Sequence, residues 1–203
     1  MPKMMNLAIE AVVLAVGLVV FSIFRISIYV VYGSLVFLTL STFVIAKKNG
    51  ISLAELGFTT NFKKTILPWT LVTLGLLLLL AVTKYFYPSG IFRGMLSDRS
   101  SVIFIIPFYA ILSSFMQEFV FRGYFFARVK PYISSVTAIA LNIIIFSLFH
   151  IPLVFHAQSG LFYLSIIGGA VWSISYAKYP NLYLAWISHA LVGATTLLLL
   201  QKF

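Results

Sequence analysis

The stretch Ser113-Ser-Phe-Met-Gln-Glu-Phe-Val-Phe-Arg-Gly-Tyr-Phe-Phe-Ala-Arg-Val-Lys130 carries Glu118 and Arg122 late in a segment otherwise apolar enough to span a bilayer. As a helix it sets the two charges four residues apart, on one face. A lone Arg or Asp at the centre of a span costs about 2.5–3.5 kcal/mol on insertion scales, so charges there are rare and usually functional. Here the two can pair, which lowers that cost. The pair reads either as a packing lock between helices or as part of a reactive centre.

Outward from this stretch the chain keeps the same character. Of 203 residues, 62% are hydrophobic and 9% charged, with a mean hydropathy of +1.07. A soluble domain carries about 25% charged residues. The apolar runs are long and continuous, which predicts an all-α integral membrane protein and not a β-barrel. About seven spans are expected, near 6–24, 26–46, 66–85, 101–126, 134–149, 161–177 and 182–200. They would form a single transmembrane domain over 1–203 that encloses an intramembrane polar cavity.

The polar stretch 47–64 carries four Lys, the turn pair Asn49-Gly50, and Ser52-Leu-Ala-Glu55. In that tetrad a Ser side chain can cap while the Glu three residues on reaches back, which predicts a short surface helix. Gly168-Gly169 in the sixth span predicts close approach of helix backbones. The net charge is +10, with Glu10, Glu55, Asp98 and Glu118 the only acids. In a membrane protein that excess reflects basic loops that set topology and touch anionic lipid, so membrane lipid is an expected partner and nucleic acid is not. Lys and Arg counted by loop put the N-terminus inside by a narrow margin. The lack of Cys excludes disulfides, thiol catalysis and Cys-bound metal.

Two histidines join the charged pair. His150 closes the fifth span in Phe146-Ser-Leu-Phe-His150, two turns after Asn142, and His189 sits inside the seventh in Trp186-Ile-Ser-His-Ala-Leu-Val-Gly193. Singly, each reads as an interhelical hydrogen bonder. Together, a Glu and two His on three spans are the combination that activates water, with or without a metal. Counted from presumed inner helix ends at 1.5 Å per residue, Glu118, His150 and His189 lie at about 18, 27 and 14 Å depth, a wide spread for one site. His156, after Pro152, reads as an interfacial histidine.

Gln117-Glu118-Phe-Val-Phe-Arg122-Gly123, then Phe146-xxx-His150, then His189 resembles the CPBP family, the CAAX-protease and bacteriocin-processing (Abi) intramembrane proteases. That family's pattern is EExxxR, FxxxH and HxxxN (or HxxxD) on successive spans, and the resemblance covers about 113–200. It implies an endopeptidase of the bacterial cell membrane that uses activated water on a small peptide or a lipidated, CAAX-like protein tail. It implies catalytic roles at Gln117, Glu118, His150 and His189, and a structural pairing role for Arg122. If a metal takes part, a divalent ion such as zinc on Glu118, His150 and His189, the resemblance leaves that open.

Two positions depart from the pattern. Gln117 stands where the first Glu is expected, and an amide has no useful basicity near neutrality. Gly193 stands where Asn is expected and offers no side-chain donor. The alternative is therefore a non-catalytic bacteriocin immunity or binding protein of the same family. A proton- or ion-coupled transporter would also use buried Glu and His, but no internal repeat supports one. Other intramembrane proteases fit poorly: the chain has no His-Glu-x-x-His, no Gly-x-Ser-Gly, and a single Asp.

Overall fold

Leu67, Leu71, Leu74 and Leu78 recur at steps of four and three, so a helix puts them on one face. In the computed structural model, which describes residues 28–86, 106–151 and 159–199, they are 65, 61, 57 and 65% exposed. Trp69, Leu76 and Leu80, toward the opposite side, are buried. An apolar stripe of this size against water would be a liability; against lipid it is the expected outer surface.

The described elements are all helices. Helix α1 is Ile28–Lys48 and α2 is Ile66–Phe86. Helix α3 is a run of four consecutive segments: a π turn Tyr109–Ser113, an α segment Ser114–Glu118, a second π turn Phe119–Tyr124 and an α segment Phe125–Val129. Helix α4 is Ser135–Phe149, α5 is Ser159–Lys178 and α6 is Leu182–Leu199. Among the described residues, three helices are long and apolar enough to cross a membrane: Ile66–Phe86, Gly160–Lys178 and Leu182–Leu199. Helix α4 is apolar but shorter. The first expected span, most of the loop carrying Asp98, and His156 lie outside the described residues.

Helix α3 occupies the middle. Its segments pack on α1, α4 and α6, while α4 pairs with α5 and α6 pairs with α2. Every α3 residue from Met116 to Phe126 is buried. The start of α4 follows from Ser134, which is extended (φ −64°, ψ 152°) and accepts a hydrogen bond from the Thr137 N–H.

Between α1 and α2 the structure corrects one expectation. Ser52 to Glu55 forms the reciprocal bonds of a capping box, with the Ser52 N–H donating to Glu55 Oε2 at 2.8 Å and the Glu55 N–H donating to Ser52 Oγ at 3.2 Å. No helix grows from it. After a single turn Gly57 takes φ +83°, a left-handed conformation that reverses the chain. The Gly57 carbonyl then accepts from the Leu182 N–H at 2.8 Å, which ties this loop to the start of α6.

Candidate active site

The two π turns of α3 bracket Glu118. The Ser114 N–H reaches back five residues to the Tyr109 carbonyl, and the Phe125 N–H reaches Val120 in the same way. Such widened turns inside helices are rare and occur frequently at functional sites. Arg122 lies in the second π turn, and its Nη1 donates to Glu118 Oε1 at 3.0 Å. Both side chains are fully buried.

From α6, His189 Nδ1 meets the same Oε1 at 2.7 Å. From α5, the Gly169 carbonyl accepts from Arg122 Nη2 at 3.2 Å. One carboxylate oxygen and one guanidinium therefore join three helices. Moving ions out of water is expensive, and the geometry offsets that cost only through close pairing and further hydrogen bonds. The pairing here is close, but Glu118 Oε2, Arg122 Nε and Gln117 Oε1 are buried with no hydrogen-bond partner among the described residues. Buried polar atoms normally have partners, so three such atoms together point to polar company when the site works.

Aromatic rings wall the cluster. The Arg122 guanidinium carbon lies 4.1 Å from the centroid of the Phe146 ring, a cation–π contact. Trp172 stacks on the His189 ring at 4.3 Å and 24°, and its indole N–H donates to Ser188 Oγ at 3.0 Å. Gly169 permits this packing, since a Cβ there would stand 2.6 Å from Phe146 Cδ1. The Gly168-Gly169 pair is expected to bring helix backbones together; at Gly169 the space is taken by the Phe146 ring instead. Asn142 Nδ2 donates to the Phe121 carbonyl within the second π turn, and its Oδ1 accepts from Ser173 Oγ at 2.7 Å.

Of the residues singled out from sequence, Glu118, Arg122 and His189 are hydrogen-bonded together. The depth spread expected for Glu118 and His189 does not separate them, because counting residues from presumed helix ends supplies no common plane. His150 joins the wall and not the ionic cluster. Its ring lies 4.4 Å from that of Phe146, its Nδ1 meets the Phe146 carbonyl at 2.8 Å, and it is half-buried at the C-terminal end of α4. Gln117 turns to its own helix, where Nε2 donates to Ser113 Oγ at 3.2 Å.

Tyr109, Trp172 and Ser188 are site residues that sequence reasoning misses. Tyr109 OH lies 3.0 Å from His189 Nε2. In spans this rich in aromatics, neither Tyr109 nor Trp172 carries a signal that separates it from packing.

Among the described residues, no group of three His, Cys, Asp or Glu could hold a metal ion. Both ring nitrogens of His189 are engaged, and Glu118 Oε1 already faces a guanidinium. Glu118, His150 and His189 do not form a metal-ligating set in this arrangement. A cavity of about 360 Å³ lies elsewhere, lined by Glu55, Lys130, Ser135, Tyr176 and their neighbours.

Lipid-facing helices around an enclosed carboxylate–guanidinium–imidazole cluster define a helical membrane protein with a built ionic centre. Residues 99–195 match the family described as type II CAAX prenyl endopeptidase Rce1-like. The match supports the resemblance to the CPBP (CAAX protease) family that the ordered motifs carry. That description names prenyl endopeptidases, and the immunity-protein alternative finds no support in it. No curated protein and no solved structure matches the chain.

Proposed function

We propose that the protein is an intramembrane endopeptidase that hydrolyses a peptide bond in a prenylated or otherwise lipidated peptide tail, with Glu118 as the base that activates water. The observation that carries this reading is the state of the Glu118 carboxylate. Oε1 is held by Arg122 and His189, while Oε2 is buried with no partner among the described residues. A carboxylate oriented through one oxygen keeps the other as an acceptor, and a general base needs a water or substrate proton within hydrogen-bond reach. Gln117, an amide beside it, contributes at most a hydrogen bond to that water.

His150, half-buried where α4 ends, is the imidazole assigned here to meet incoming substrate and water. His189 donates from Nδ1 to Glu118 Oε1 and so orients the carboxylate. Because Glu118 is enclosed, hydrolysis requires the helices to part and admit water, so opening contributes to the rate. The class of substrate follows from the family match and from the apolar surroundings of the site.

The test is cleavage of prenylated and unprenylated peptides by the full chain purified in detergent. Turnover of the prenylated peptide is expected, with a loss of about a hundredfold or more in Glu118→Gln. Absence of turnover both in the natural sequence and after Gln117→Glu would remove the reading.

A further inference from the structure

Gly193 lies one helical turn beyond His189, and the space in front of it is filled. A Cβ at this position would overlap the hydroxyl and ring carbons of Tyr109, which reaches across from the first π turn of α3. The absence of a side chain on α6 is what lets a phenol from α3 stand against His189. Its hydroxyl meets His189 Nε2 at 3.0 Å, and the two rings are edge-on at 6.0 Å and 71°.

The neighbouring residues keep it there. The Trp186 indole N–H donates to the Ala110 carbonyl at 2.9 Å, fastening α6 to α3 beside Tyr109. On the other side of the imidazole, Glu118 Oε1 accepts at Nδ1. A carboxylate only accepts, so Nδ1 carries a proton, and in the singly protonated ring Nε2 would accept from the Tyr109 hydroxyl. Tyr109, His189 and Glu118 thus form one directed line of hydrogen bonds, and stacking of Trp172 on His189 prevents the ring from turning out of it.

We propose that Tyr109 is a positioning residue that fixes the tautomer and orientation of His189, and that Gly193 is glycine in order to admit it. This deepens the protease reading and rests on it, but the hydrogen-bond line can be tested without any substrate.

The experiment uses the full chain in detergent with ¹⁵N-labelled histidine, the His189 signals being assigned by their loss in His189→Gln. In the natural protein the ring nitrogens should report a single tautomer protonated at Nδ1. Tyr109→Phe keeps the ring and removes only the hydroxyl, so the Nε2 resonance should shift and the tautomers should mix. With a cleavable prenylated peptide, Tyr109→Phe should lower kcat about tenfold and leave KM within about twofold, the scale of one lost hydrogen bond to a reacting group. Gly193→Asn should collide with Tyr109 and lose activity, and Tyr109→Ala combined with Gly193→Asn should recover activity over either single change. Unchanged His189 nitrogen signals in Tyr109→Phe would overturn the proposal, as would a double variant no better than Tyr109→Ala. If the natural protein cleaves nothing, the protease reading fails, while the nitrogen signals still decide the role of Tyr109.

Discussion

Arg122 has three attachments that differ in kind: the Glu118 carboxylate, the Gly169 carbonyl and the face of Phe146. A lysine could satisfy at most part of that set, because the planar fork and the stacking face belong to the guanidinium. Removing one member of a buried ion pair leaves the other uncompensated and costs about 3–5 kcal/mol. Arg122→Met should therefore destabilise the protein by that order in reversible unfolding in detergent. The double change Glu118→Gln with Arg122→Met should cost clearly less than the sum of the two single changes, and additivity would argue against the pair as drawn. At this scale the sequence is most readable where a residue is expensive. Glu118, Arg122 and His189 stand out because charge and imidazole are costly in lipid, whereas Tyr109 and Trp172 are cheap there and stay hidden among twenty Phe and eleven Tyr. Gly193 is readable only as a missing donor until its filled neighbourhood is seen.

Among the elements, the turn Ser52 to Glu55 offers a test outside the membrane. The Ser52 hydroxyl and then its backbone N–H hold the Glu55 carboxyl below its ordinary value. A group with a depressed folded pKa contributes stability above its unfolded value and loses it as pH falls through the folded one. On acidification below about 4.3, the free Glu value, amide exchange at Glu55 and Leu56 should therefore accelerate, and in Glu55→Ala, which removes the acceptor, it should be fast and pH-independent after correction for intrinsic exchange. The helices themselves were legible: α2, α4 and α6 begin and end within one or two residues of the apolar runs in 66–85, 134–149 and 182–200. What composition cannot report is a change of helix type. The π turns around Glu118 replace one hydrogen-bond register by another inside uniformly apolar sequence, and no residue there announces it.

For the whole molecule, the exposed leucine face of α2 and the enclosed ions of α3 state one requirement, a lipid exterior around a polar interior. The protein should remain in the membrane fraction after alkaline carbonate washing and leave it only with detergent; release by carbonate alone would contradict the placement of that face. The enclosed cluster also sets an order of events during synthesis. Arg122 meets its first partner four residues upstream, but the Gly169 carbonyl is 47 residues further along the chain and His189 is 71 beyond Glu118. At about 5–20 residues per second, α3 waits several seconds between emerging and being completed. Throughout that interval Glu118 and Arg122 have only each other, at four residues' separation. The cluster is completed only when the C-terminal half of the chain has been made.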